Sequence, residues 1–355
     1  MADSEFEDVM AAIREQWASM AGMAGMFTFS ILLGVFIQPF YNFEIYRAFG
    51  EEGTTEAGNI LFELVMIFLF TIGIIWLARK GLEVLIKGIV FFALGYSLLM
   101  ALQPILSIVF WLMGLQNGNV GLVILLGMTG GMMYTLHRFP EWYVVNSVGL
   151  LVGSGVIVML GIAFVPVLII LFMVLAAIYD HWAVNGSKHM LELADTMIDL
   201  KLPVLLVAPK STDYTFLEQD GDVMKKSHDE PAVHPGNSMP PKKAKGRDAL
   251  FMGLGDVIFP GMLVISSITF LPETGPVVFD FWGGDSIPIT LGPMIVGMGT
   301  LVGGLVGYAA LMTQVARGKP QAGLPLLNGG SILGYLISGT FALGFGKLWQ
   351  DITFL

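Results

Sequence analysis

Two aspartates in apolar surroundings are the residues of this chain best placed for chemistry. Asp180 closes an apolar stretch that begins near residue 164, and Asp256 stands in Gly253-Leu254-Gly255-Asp256 at the start of another. An ionisable group inside a bilayer costs at least about 2.5 kcal/mol near its centre, so it is a functional candidate by default. Two carboxylates a few ångströms apart cannot both ionise cheaply. They share one proton and titrate as a pair. The ionised member can draw a proton from water while the protonated member polarises a peptide carbonyl, which is aspartic-protease chemistry. Intramembrane carboxylates also serve proton-coupled transporters and ion-leak channels. On these residues alone both readings stand.

The elements that hold them must be membrane helices. Of 355 residues 55% are hydrophobic and 13% charged, against about 25% charged in a soluble domain. So large an apolar surplus needs lipid as solvent. The net charge of −10 argues against nucleic acid as a partner, which needs a basic face. There are no cysteines, which excludes disulfides, thiol catalysis and Cys-based metal sites. The five histidines form no His-Glu-x-x-His pattern, so no metal is expected, and no cofactor either. His181 follows Asp180 directly, and on a helix it points about 100° away. Ser154 lies among glycines without an evident base.

Apolar runs of about 20 residues predict an all-α polytopic membrane protein of nine transmembrane helices, near 19–40, 58–78, 84–114, 119–136, 144–162, 164–184, 249–270, 289–315 and 322–346. The third run contains Gln103-Pro104 and could be one kinked span or two short ones. Cytoplasmic loops collect Lys and Arg. Nine spans place fifteen of the eighteen such residues on one side and two on the other. Splitting the third run would scatter them. The N-terminus is therefore predicted inside and the C-terminus outside. Phe6, Val9, Met10, Ile13 and Trp17 are at helical spacing, which predicts a surface helix leading into the first span. The acidic start lacks the basic region of a signal peptide.

Residues 185–248 are the only large hydrophilic segment. They divide a six-helix part, 1–184, from a three-helix part, 249–355. The segment is expected to hold a short amphipathic helix at 187–200, a β-prone run at 202–207 and a mobile Pro- and Lys-bearing linker at 218–247. Asp180 then lies about four residues before the cytoplasmic end of the sixth span. Asp256 lies about seven residues inside the start of the seventh. These offsets are depths of roughly 6 and 10 Å at 1.5 Å per residue, so the two carboxylates are level. Ala322-Gly323-Leu324-Pro325 opens the ninth span at the same level, with proline in a helix's first turn. Glu63 and Lys87 lie near span ends, where snorkelling relieves them. Gly149 with Gly153, and Gly299, Gly303 and Gly307, are spaced for close helix packing.

Tyr179-Asp180, Gly253-Leu254-Gly255-Asp256 and Leu324-Pro325, in this order over nine spans, resemble the presenilin and signal peptide peptidase family of intramembrane aspartyl proteases. That family carries Tyr-Asp on its sixth span, Gly-x-Gly-Asp on its seventh and Pro-Ala-Leu near the start of its ninth. GLGDVIFPG and LPVLLV also look like family sequence. Ala322-Gly323-Leu324 departs from Pro-Ala-Leu. The resemblance implies Asp180 and Asp256 as the catalytic residues. It implies Tyr179, Gly253, Leu254, Gly255, Gly323, Leu324 and Pro325 as the active-site and substrate-binding residues around them. It implies transmembrane-helix proteins as substrates and a multi-pass chain in the lipid bilayer of a cell membrane, and it leaves a homo-oligomer open. Short outer loops and a compact chain look like an archaeal member, in presenilin-like orientation. Prepilin-type peptidases also use Gly-x-Gly-Asp, but nine spans fit them less well. A helical peptide bond must be unwound before water reaches it, and residues 202–207 are expected to offer the strand edge that pairs with it.

Overall fold

A backbone in hydrocarbon must pair its own N–H and C=O groups, and a helix does so within one segment. The computed structural model describes residues 2–41, 46–114, 118–185, 205–210, 214–215, 249–280, 288–316 and 323–353. Among these, nine α-helices of seventeen residues or more follow the apolar runs of the sequence: α1 (Ala2–Ile37), α2 (Ala57–Arg79), α3 (Glu83–Leu112), α4 (Gly118–Arg138), α5 (Trp142–Gly161), α6 (Pro166–Asn185), α7 (Leu254–Phe270), α8 (Leu291–Ala316) and α9 (Leu324–Ala342). Six of them, α1 to α5 and α8, are long and apolar enough to cross a membrane. The apolar parts of α6 and α7 are shorter. Helix α9 is rich in small and polar residues. The chain is a multi-pass membrane protein.

The third apolar run is one helix, with Pro104 inside it. The expected surface helix and the first span are a single helix, α1, with Trp17 exposed and Ile13 packed against the core. Helix α1 stands in the middle of the bundle, against α5, α7 and α8. Phe27 and Ile31 on it are fully buried. Lys87 stays near the end of α3 with its ammonium 5.8 Å from the Phe91 ring centre, a cation–π contact.

Helices α8 and α9 make the closest pair. A Cβ on Gly303 would lie 2.2 Å from the Gly330 carbonyl oxygen, and one on Gly307 2.2 Å from that of Leu326. Gly299 meets Ser338 in the same way. Backbones this close leave no room for any side chain, which is what a small-residue stripe permits. Gly153 seats α5 against Leu254, whose Cδ1 would be 3.1 Å from an added Cβ.

The seventh apolar run begins differently from the expectation. Residues 249–253 are a strand, β2 (Ala249–Gly253), paired antiparallel with β1 (Leu205–Pro209) in the register Leu206↔Met252 and Ala208↔Leu250. Helix α7 starts only at Leu254. A short apolar run suits strand and helix alike, and here the partner strand decides. The β-prone run thus does form a strand, at 205–209, while residues 202–204 lie outside those described. So do the expected helix at 187–200 and the linker at 218–247.

Beyond the C-terminal end of α7, β3 (Val277–Phe279) pairs with β4 (Ile289–Thr290). After α9 the chain returns to α2. The Ala57 N–H donates to the Thr353 carbonyl at 2.9 Å, and the Tyr335 hydroxyl to the Leu348 carbonyl at 2.8 Å.

Candidate active site

Three helix ends meet at one place: the end of α6 with Tyr179 and Asp180, the start of α7 with Asp256, and the start of α9 with Gly323 and Leu324. Asp256 is the third residue of α7, not the eighth of a longer helix, because Ala249–Gly253 are strand. Gly253 is the N-cap, in extended conformation at φ −60°, ψ 139°. From the third position the Asp256 carboxylate accepts a hydrogen bond from the Gly253 N–H, half of a capping box. The helix start therefore aims this side chain. Strand β2 runs straight into the cap, so the sheet in turn places the helix start.

Asp180 is buried, five residues before the end of α6. Its Oδ2 accepts the Leu324 N–H at 3.4 Å. The first N–H groups of a helix have no intrahelical acceptor, and Pro325 in the first turn of α9 has no N–H at all. Leu324 thus spends its free donor on the carboxylate. Asp256 keeps part of its surface open. The two carboxylates are near enough for their charges to interact.

The glycines divide the work. Gly255, before the aspartate, has nothing within 4 Å of an added Cβ among the described residues, so none of their backbone approaches it. Gly323 does the close packing: a Cβ there would stand 3.0–3.1 Å from the Asp256 carboxyl atoms. Gly253 would meet Asp256 Oδ2 at an ordinary 3.5 Å. Leu254 is buried beside Gly153. Tyr179 lies with its ring 6.4 Å from Phe68 of α2 and 6.2 Å from Trp182. The residues expected at the site are carried by these three helix ends and the caps that precede α7 and α9. Ser154 is outside it, its hydroxyl spent on the Leu151 carbonyl at 2.8 Å.

The outer edge of strand β1 is taken at Val207 and Pro209, while residues 202–204 of the run expected to offer an edge lie outside those described. Asn146 of α5 donates to the Val207 carbonyl at 2.7 Å and accepts the Val207 N–H at 2.9 Å. The Ser19 hydroxyl takes the Pro209 carbonyl at 2.6 Å. Two helices thus stand where a third strand would, which steadies a two-stranded sheet that is marginal alone. Asn146 escaped the sequence reading, although an uncharged amide inside an apolar run was its signal.

The profile described as signal-peptide peptidase, presenilin aspartyl protease, matches residues 24–344. No curated protein matches the chain. Two solved structures of a presenilin family intramembrane aspartate protease, in C222 and P2 crystal forms, are similar to it. Their identities are 24% and 26% and their TM-scores 0.57 and 0.58, each over 92% of this chain and 100% of the other.

Proposed function

Because the chain belongs to the signal-peptide peptidase, presenilin aspartyl protease family, we propose that Asp180 and Asp256 are its catalytic dyad. The protein is an intramembrane aspartic endopeptidase, and its substrates are membrane proteins within a bilayer. One observation carries the assignment to these two residues: the start of α9 touches both, through the Leu324 N–H on Asp180 and the Gly323 backbone against Asp256.

In this reading the pair holds one proton between its carboxyl groups. The ionised carboxylate takes a proton from water as the water oxygen attacks the scissile carbonyl carbon. The protonated carboxyl gives its proton to the carbonyl oxygen, forming a gem-diol. Proton return to the amide nitrogen then breaks the C–N bond and leaves a carboxyl and an amine terminus. Tyr179, Leu254, Leu324 and Pro325 wall the junction. The open side of Gly255 is space for an unwound substrate backbone, and Gly253 supplies the N–H that aims Asp256.

All nine helices cross the bilayer in this reading, with the N-terminus and residues 185–248 inside and the C-terminus outside, in the cell membrane. The Lys and Arg distribution supports that orientation. The polar segment then joins a six-helix part, 1–184, to a three-helix part, 249–355.

The test is cleavage of a single-span substrate in liposomes. Asp180→Asn and Asp256→Asn are each expected to abolish it while the protein still folds. Full activity in either variant overturns the assignment.

A further inference from the structure

Asn328 is a buried polar residue that the dyad chemistry does not use. It lies on α9 four residues after Leu324, on the same face. Its side-chain amide donates to the Met173 carbonyl of α6 at 3.0 Å. Met173 lies seven residues before Asp180, again on the same face. The seam between α6 and α9 is therefore pinned twice, by Asn328 to Met173 and by the Leu324 N–H to Asp180.

Stability does not explain an asparagine here. A carbonyl inside a helix has its own helical N–H as partner, so Met173 does not need the amide. Asn328 Oδ1 is buried and has no hydrogen-bond partner among the described residues, which costs stability. Leucine has nearly the same shape and no such cost. The glycine stripe on the other side of α9 sets how closely α8 and α9 approach. It leaves the height of α9 against α6 to another contact.

We propose that Asn328 is a positioning residue for proteolysis. It fixes the register of α9 against α6 so that the Leu324 N–H meets Asp180 and the Gly323 backbone lies beside Asp256. The proposal rests on Asp180 and Asp256 being the dyad.

The test is Asn328→Leu in liposomes. The expected result is a kcat at least tenfold lower with KM within twofold. The affinity for a hydroxyl-bearing transition-state analogue falls by a similar factor, and Tm is equal or higher. A kcat and inhibitor affinity within twofold of the wild type overturn the proposal. So does a loss of activity that comes with a lowered Tm, which marks a structural role. Asn328→Asp keeps the shape and gives a second measurement. It lacks the donor when ionised and regains one when protonated, so its kcat relative to wild type rises as pH falls. A ratio flat in pH overturns the proposal as well. Asp180→Asn and Asp256→Asn assayed alongside separate the two ideas. Activity in either removes the dyad, whereas their inactivity beside an unimpaired Asn328→Leu removes only the positioning role.

Discussion

The two glycines nearest Asp256 face different things, and substitutions should tell them apart. Among the described residues nothing lies within 4 Å of a Cβ at Gly255, so Gly255→Ala is expected to leave Tm unchanged. It should lower kcat/KM at least tenfold, because the methyl group enters space needed by substrate. A lowered Tm would show that the site is packed rather than open. At Gly323 a methyl group meets the far end of the Asp256 side chain at 3.0–3.1 Å, which a shift of a few tenths of an ångström relieves. Gly323→Ala, the residue of the family's Pro-Ala-Leu, is therefore expected to stay within about fivefold of wild-type kcat. The branched side chain of Gly323→Val cannot be relieved in that way and should cost at least a hundredfold. Equal effects of the two substitutions would contradict this packing.

Among the elements, the α8–α9 pair tolerates least. The atoms facing Gly303 are the Gly330 carbonyl and the Gly334 Cα, which are backbone and cannot rotate aside. Gly303→Ala should separate the helices and cost about 1–3 kcal/mol or more, with activity and Tm falling together. Gly25→Ala on α1, with nothing within 4 Å, serves as the control and should change neither. These elements also show what the sequence discloses. Apolar length and glycine spacing are properties of one segment, so the helices and the small-residue stripe could be read from it. Strand β2 could not, because Ala249-Leu250-Phe251-Met252 is apolar in either conformation and only β1 makes it a strand. The same holds for the contacts of Asn146 and Asn328. Their partners lie on other elements, which one segment does not reveal. The two aspartates stood out because their cost in a membrane is itself local. The sequence thus pointed to the two aspartates that the junction brings together.

Over the whole molecule, orientation can be read directly because the chain has no cysteine. Ser227→Cys in the central polar segment is expected to react with an impermeant maleimide only from the inside. Asp351→Cys, after α9, should react only from the outside, and the opposite pattern would invert the proposed topology. The central place of α1 has a consequence for the making of the protein. The Tyr308 hydroxyl of α8 donates to the Met20 carbonyl of α1 at 2.9 Å, across 288 residues of chain. Helix α1 is thus covered by helices that leave the ribosome well after it. Until α7 and α8 are synthesised, the face of α1 that carries Phe27 and Ile31 has only earlier helices and lipid to lie against. The start of α9, which touches both aspartates, arrives later still. A half-made chain already holds Asp180 but no finished cutting site. The enzyme therefore cannot act on membrane proteins, its own nascent copies included, before its translation has passed residue 324.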